Sequence, residues 1–351
     1  MATSTLRADR GRARIERARR RSELTPRDRV VRAALGVTGA VPALALVFIT
    51  YQTLRQAYPS IVFNGAHFFT GRQFSIGNSY GGGTITRHGY HATPGAVFGI
   101  GPLIFGTVVS SLIALAVAVP ISVGAAILLA ERLPSRLQGP LGVFLELLAG
   151  IPSVVFGLWG VATFGPLLAR DVERHLSDLH IPWLTGSIQH NGQGLLTSAL
   201  VLALMIIPII ASTTRELVRS VPALTKEGAV ALGLTGTESV RLVTLPFIRT
   251  GIVAASLLGL ARALGETIAV LLISTNASTG YPHSVFAGFS TMAAFIAGEL
   301  DGAFGDSTGM AVHALAEVGL VILVITLLTN LAGRAITRRL AGPGLPVGRG
   351  I

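Results

Sequence analysis

The 351-residue sequence contains no cysteine, and only 13% of its residues are charged. The missing thiols exclude disulfides, thiolate metal sites and cysteine nucleophiles. A typical soluble domain has about 25% charged residues. The low charge, together with 50% hydrophobic residues and a mean hydropathy of +0.64, therefore indicates a membrane protein.

Lysine is also nearly absent, since Lys226 is the only one and follows "PALT" rather than a glycine-rich loop. A phosphate-binding loop has the pattern G-x-x-x-x-G-K-[ST], so the sequence predicts no ATP site in this chain. No serine, histidine and acid grouping is recognisable either. Metal-ligand spacing is absent among the histidines of the predicted outer loops, His67, His88, His91 and His190. We expect no catalytic residues and no metal ligands.

Long apolar runs are abundant, and a helix needs about 20 such residues to cross the hydrocarbon of a bilayer. Six runs qualify, near residues 30–54, 101–130, 142–169, 195–213, 250–275 and 312–333. The sequence thus predicts an all-α membrane protein with about six transmembrane helices. The transmembrane domain would cover residues 30–333, between an arginine-rich tail at 1–29 and a C-terminal tail at 334–351.

The basic residues are distributed unevenly between the two sides of these spans. Of the 28 basic residues, 22 fall in residues 1–35, in the C-terminal tail and in the loops at 131–136 and 214–249. The positive-inside rule therefore predicts that both termini and these loops are cytoplasmic. Membrane topology also accounts for the net charge of +11 without nucleic acid, and the N-terminal tail is expected to contact anionic lipid headgroups. The uncharged run from Ala33 to Leu54 is too long for a cleaved signal peptide.

The outer loops carry weaker signals. The glycine-rich stretch "SYGGGTITRHGYHATPG" predicts an irregular loop or a short hairpin. The stretch "FAGFSTMAAFIAGELDGAFGDSTG" is too interrupted to span the membrane and predicts a re-entrant or surface helix. Within the spans, Glu146 and Glu317 are further polar candidates for the bundle interior.

A polar segment, "EGAVALGLTGTESVRLVTLP", separates the fourth and fifth apolar runs, from Glu227 to Pro246. A glycine at 233 predicts the left-handed end of a first short helix. The Thr235 and Glu238 pair fits a capping box for a second one. The Leu-Pro dipeptide at the end predicts a turn into the fifth span. The tip of this helix-turn-helix would present apolar residues to a groove on another protein, namely Ala229, Val230, Leu232 and Leu234.

This segment resembles the EAA loop of ABC importer permeases, in which E-A-A is followed by glycine in seventh place, nine residues and I-x-L-P. Gly228 in place of alanine and Val243 in place of isoleucine are the two departures. The resemblance implies that the loop, within 214–249, docks on a separate ATP-binding subunit that holds ATP and Mg. The residues it assigns to ATPase coupling are Glu227, Gly228, Ala229, Gly233, Leu245 and Pro246.

Two ionisable residues, Arg262 and Glu266, interrupt the fifth span. A charge at mid-membrane costs about 2.5–3.5 kcal/mol on insertion scales, so their presence needs a reason. Their spacing of four predicts that they share one helical face and pair. One interpretation is a neutral pair that fixes helix packing. The other is that the Arg262 guanidinium binds an oxyanion, while Glu266 holds the guanidinium and keeps anion binding weak enough for release.

Further stretches, "GIPSVVFGLWG" (Gly150 to Gly160), "RALGETIAV" (Arg262 to Val270) and "LLTNLAGRAITRR", resemble phosphate-specific ABC importer permeases, more the PstC type than the PstA type. The resemblance implies a MetI-like fold and a heterodimer with a PstA-type permease. It also implies a PstB-type ATPase dimer and an external PstS-type phosphate-binding protein. The residues assigned to the substrate path are Arg262, Glu266, Ser153 and Thr267. A sulfate or molybdate permease stays open as an alternative, as does a channel or a membrane enzyme outside the ABC class.

Overall fold

The computed structural model describes residues 26–78, 82–179, 181–186, 188–274 and 280–340. Most of the predicted arginine-rich tail and the end of the C-terminal tail therefore lie outside the described residues. The chain divides into two compact units, Met1–Arg55 and Gln56–Ile351. In the first unit, the helix that begins at Pro26 is apolar on all faces from residue 33 to 54, as a membrane-spanning helix is.

Helices make up most of the described chain. In order they are α1 (Pro26–Asn64), α2 (His67–Thr70), α3 (Gly101–Arg132), α4 (Ser135–Ala149), α5 (Ser153–Ser177), α6 (Leu195–Arg219), α7 (Ala223–Ala231), α8 (Gly236–Leu264), α9 (Ile268–Ile273), α10 (Met292–Phe304) and α11 (Met310–Leu340). Six of them, α1, α3, α5, α6, α8 and α11, are long and apolar enough to cross a membrane. The prediction of six spans is confirmed.

The core of the second unit forms where α3, α6 and α8 pack against one another, with α6 the most deeply buried span. Small side chains such as Ala114, Ala118 and Ala203 line the contact and let the backbones approach closely. A side-chain hydroxyl also crosses it, because Ser122 Oγ donates to the carbonyl oxygen of Ile207 at 3.1 Å. This hydrogen bond ties α3 to α6 at Ile207, the residue before Pro208.

One end of the bundle, which we call the hairpin end, carries the strands. β1 (Phe74–Ser75) pairs antiparallel with β4 (Val97–Phe98), and β2 (Ile85–Arg87) with β3 (Tyr90–Ala92). The predicted hairpin is thus confirmed. Helix α10 also lies here, as expected for the segment between the fifth and sixth spans. Aromatic rings bind the layer together, with Phe74 4.8 Å from Phe295 and 5.2 Å from Phe98 between ring centroids.

Two predicted spans are interrupted in the structure. The third, predicted over 142–169, is divided into α4 and α5 by a break at 150–152, and the fifth, predicted over 250–275, into α8 and α9 by a break at 265–267. Pro152 has no N–H to continue a helix and instead precedes the first residue of α5. Hydropathy averaged over a whole span concealed both breaks, because the long apolar runs on either side outweigh the three residues of each break.

The packing of α3 predicts opposite effects for two glycines on this helix. A methyl group at Gly106 would overlap the carbonyl oxygen of Ser290, whereas one at Gly124 would meet no atom within 4 Å. We expect Gly106→Ala to destabilise the protein by about 1–3 kcal/mol, because backbone cannot move aside as a flexible side chain can. Thermal unfolding of the purified protein measures the change. Gly124→Ala is the matched control and should be neutral or stabilising, so equal melting temperatures for the two variants would contradict this packing.

Candidate functional site

The two breaks lie side by side, because α5 packs against α9. A Cβ built on Gly157 of α5 would lie 3.0 Å from Ala269 Cα, and one on Gly160 would lie 3.1 Å from Ile273 Cγ1. Residue numbers increase together along this contact, so the two segments run parallel. Their first residues, Ser153 and Ile268, therefore lie within about one helical turn of each other along the helix axes.

The depth of this pair follows from its contacts with α6. Ala269 and Ile273 share a buried cluster with Val201 and Met205 of that helix. Met205 lies near the middle of the 25 residues of α6, which is about 37 Å long at 1.5 Å per residue. Both helix breaks therefore open near the middle of the membrane-spanning region.

The structure brings the predicted path residues to this level. Arg262 lies in the last turn of α8 and is exposed, while Glu266 and Thr267 are half-buried within the break. Thr267 Oγ1 donates to the carbonyl oxygen of Gly265 at 3.2 Å. Ser153, also half-buried, is the first residue of α5.

The predicted pairing of Arg262 with Glu266 is wrong. Helix α8 ends at Leu264, so the two side chains do not share a helical face. Glu266 Oε1 instead accepts a long hydrogen bond, 3.5 Å, from the backbone N–H of Ala269 at the start of α9. Among the described residues, Arg262 makes neither an ion pair nor a side-chain hydrogen bond. Its guanidinium therefore has five donors available.

This arrangement is suited to a small anion. A guanidinium presents paired N–H donors that match the oxygens of an oxyanion. The first N–H groups of a helix have no partner within the helix, and those of α5 open at the same level. An exposed arginine at mid-membrane is unfavourable against lipid, so the face of α8 that carries Arg262 fits water or another protein better than acyl chains.

At the opposite end from the hairpin layer, the segment from Glu227 to Pro246 forms the predicted helix-turn-helix. Helix α7 is followed by Gly233, whose φ of +83° is the left-handed conformation that glycine adopts without strain. The capping box is also confirmed, with Thr235 Oγ1 accepting from the Glu238 N–H at 3.4 Å and the Glu238 side chain accepting from the Thr235 N–H at 2.7 Å. The sequence predicted both features correctly because the glycine helix end and the capping box depend only on residues close in the sequence.

The tip of this segment exposes apolar side chains. Leu232 is 85% exposed, and Leu224 and Val230 are exposed as well. Two predictions need correction. Ala229 is buried against its own chain rather than presented at the tip, and the Leu-Pro dipeptide does not turn the chain, since α8 continues through it. A π-helical turn, Val240–Thr244, precedes Pro246 and accommodates its missing N–H.

The coupling residues assigned from the EAA resemblance lie on different parts of this segment. Glu227 and Gly228 are exposed on α7, whereas Leu245 is half-buried and Pro246 exposed in α8. The sequence analysis missed Glu131, at the end of α3, whose carboxylate lies 2.8 Å from the Lys226 ammonium. The two residues are 95 positions apart, so no local pattern could have connected them.

The two other acidic candidates within the predicted spans, Glu317 and Glu146, differ in burial. Glu317 is buried in α11, where its Oε2 accepts from Ser60 Oγ at 2.6 Å. Glu146 is exposed on α4. Glu317 thus connects two helices of the second unit and lies in a different cluster from the helix breaks.

Comparison with known proteins matches residues 118–342 to the family described as "Binding-protein-dependent transport system inner membrane component". The chain belongs to this family. The segment from Glu227 to Pro246 lies within the matched residues. The resemblance stated from the sequence is therefore confirmed.

Curated relatives of this permease cover most of its length. Phosphate transport system permease protein PstC 1 of Mycobacterium tuberculosis is 49% identical over 90% of this chain and 94% of its own. PstC 2 of the same organism is 38% identical over 88% and 91%. A solved bacterial alginate ABC transporter, in complex with an alginate pentasaccharide-bound periplasmic protein, has a chain with a TM-score of 0.55 at 17% identity, over 89% of this chain and 96% of that one. The last likeness shows a shared fold.

The capping box predicts a local effect on the permease. Thr235→Val removes the side-chain acceptor of the second short helix and should cost about 1 kcal/mol of local stability, or about fivefold faster opening. Hydrogen exchange of the amides of residues 236–239, followed by mass spectrometry, measures this. Thr225→Val is the matched control, because Thr225 lies in α7 and its side chain makes no hydrogen bond among the described residues. Unchanged exchange in Thr235→Val would show that the cap contributes nothing.

Proposed function

We propose that this chain is a transmembrane permease subunit of an ATP-driven phosphate importer. The observation that carries the proposal is the exposed guanidinium of Arg262, which has no partner among the described residues and lies at the level where two helices break. An oxyanion is the ligand that such a group binds best. The names of the curated relatives, phosphate transport system permease proteins, support phosphate as that oxyanion.

A second permease subunit of the PstA type would complete the path. The face of α8 that carries Arg262 is open in this chain, and lipid is a poor neighbour for a charge. A heterodimer would enclose this face and leave the guanidinium against a polar passage. Ser153, Glu266 and Thr267 would line the same passage near the helix breaks, with the Glu266 carboxylate limiting how tightly an anion is held.

ATP hydrolysis would come from partner subunits of the PstB type, which would bind ATP and Mg. The exposed apolar tip around Leu232 supports docking, because an amphipathic helical projection fits a groove on another protein. The unequal distribution of basic residues supports a cytoplasmic location for this tip and both termini. An external binding protein of the PstS type would deliver phosphate to the hairpin end.

The expected mechanism is alternating access. ATP binding would draw the two ATPase subunits together, move the docked EAA segments and open the path outward to accept phosphate. Hydrolysis would then return the path to an inward-open state. In this mechanism the chain's own residues bind and orient the anion at Arg262 and transmit motion from the loop.

Removal of the guanidinium should reduce transport without preventing assembly. Arg262→Gln loses a charge-assisted hydrogen-bond donor, so uptake of labelled phosphate should fall about tenfold or more. Arg249→Gln is the matched control, with the same change near the other end of the membrane-spanning part of α8. Normal uptake by Arg262→Gln would rule out this role. Faster uptake of labelled sulfate or molybdate than of phosphate by the unmodified protein would identify a different oxyanion.

The docking surface makes a separate prediction. Leu232→Asp places a charge at the most exposed apolar position of the tip and should weaken binding of the ATPase subunit by about 2 kcal/mol or more. Co-purification of the ATPase subunit with the tagged permease measures this. Leu179→Asp is the control, because Leu179 is also an exposed leucine but follows the C-terminal end of α5, outside the EAA segment. Equal recovery of the ATPase with both variants would contradict docking through this tip.

A further inference from the structure

A charged contact joins the EAA segment to the end of the second membrane span. Lys226 of α7 lies with its Nζ 2.8 Å from Oε1 of Glu131, in the last, π-helical turn of α3. The same carboxylate oxygen accepts from Thr244 Oγ1 of α8 at 3.0 Å. The ammonium also donates to the carbonyl oxygen of Val218 in α6 at 3.1 Å. One lysine and one glutamate therefore connect four helices.

The contact is more sheltered than an ordinary surface ion pair. The Lys226 and Glu131 side chains are 28% and 17% exposed, respectively. In contrast, the other pair near this end, Arg219 with Glu216, lies on a single helix at 3.5 Å and is 40% and 68% exposed. Reduced solvent strengthens a charge pair that is well hydrogen-bonded, while the exposed pair is weakened by water and salt.

Little apolar packing supports the contact between α7 and the end of α3. A groove of about 580 Å³ separates α7 from the end of α3 and is lined by residues that include Ala130, Glu131 and Val230. Within α7, Ala229 is the buried residue. A second polar contact crosses nearby, from Arg132 Nη2 to Thr237 Oγ1 at 3.2 Å. An apolar cluster that includes Ala130 joins the end of α3 to Val221, before α7, and to Ile248 of α8. The attachment of α7 itself to α3 is thus made largely by polar groups.

We propose that the Glu131–Lys226 pair is the link that makes α3 move together with the EAA segment when the ATPase subunits close. The inference rests on the proposed function and assigns a transmission role to two residues that touch neither phosphate nor ATP. Helix α3 packs along α6 and against α8. Displacement of its end is therefore passed to the helices that surround the break at 265–267.

Neutralising the carboxylate tests the charge directly. Glu131→Gln keeps an oxygen that accepts from Thr244 but loses the charge that holds Lys226. In the reconstituted transporter, the ratio of phosphate transported to ATP hydrolysed should fall about fivefold or more, while the KM for phosphate stays unchanged. Glu216→Gln removes a carboxylate from the exposed pair and should leave this ratio unchanged. A normal ratio in Glu131→Gln would overturn the proposal.

Reversal of the pair separates a mechanical role from a general folding defect. Glu131→Lys combined with Lys226→Glu restores opposite charges at the same positions, so it should recover a large part of the transport that either single change removes. Recovery supports the link even if the single variants assemble poorly. No recovery in a reversed pair that assembles normally with the ATPase subunits would contradict it.

A covalent substitute for the ion pair gives an independent test. The chain has no cysteine, so Glu131→Cys with Lys226→Cys introduces the only two thiols. If the two residues move as one body, a short bis-methanethiosulfonate reagent, which forms a disulfide with each thiol and releases one sulfinate at each end, should join them equally well with and without trapped ATP. The joined transporter should still take up phosphate. Loss of transport on cross-linking would show that the residues must separate. Stimulation of ATP hydrolysis is measured together with phosphate uptake in the unmodified transporter. If ATP hydrolysis is stimulated but no phosphate is transported, phosphate is refuted as the substrate, while the link between Glu131 and Lys226 is not.

Discussion

Backbone amides in a membrane must find hydrogen-bond partners within the protein, and this constraint governs the placement of the two helix breaks. Non-helical backbone at membrane depth is tolerated where protein buries it or where it lines a watery cavity. The breaks at 150–152 and 265–267 lie beside each other, joined by the close contact of Gly157 with Ala269. The two breaks within the spans thus lie at one level, which is also the level of Arg262, a residue without a partner in the part of the chain that the structure describes.

The two ends of the molecule have different kinds of structure. At the hairpin end, short strands and aromatic rings form a packed layer. At the other end, polar contacts hold a helix-turn-helix whose apolar tip is left open. Between them, small side chains along α3 and α6 bring helices close enough for a hydroxyl to reach a carbonyl. Strand pairing and aromatic packing, polar side-chain contacts and close helix packing thus stabilise the three regions, respectively.

Sequence reasoning succeeded where structure is decided locally. The six spans, the hairpin, Gly233 and the Thr235–Glu238 cap all follow from hydropathy or from neighbours within four residues. It failed where a distant contact decides. A spacing of four predicts pairing only in an unbroken helix, and the break after Leu264 moved Glu266 to the start of α9. Likewise, no local pattern singles out Glu131, because its partner Lys226 is distant in the sequence.

The scarcity of lysine has a practical side. Lys226 is the chain's single lysine, and its amine is held by a carboxylate and a carbonyl. Acylating reagents react with an amine only in its neutral form, so lysine-directed labelling of this protein is confined to one side chain, and the ion pair with Glu131 slows the reaction there. The rate of such labelling therefore reports how often Lys226 separates from Glu131, that is, how often α7 detaches from α3.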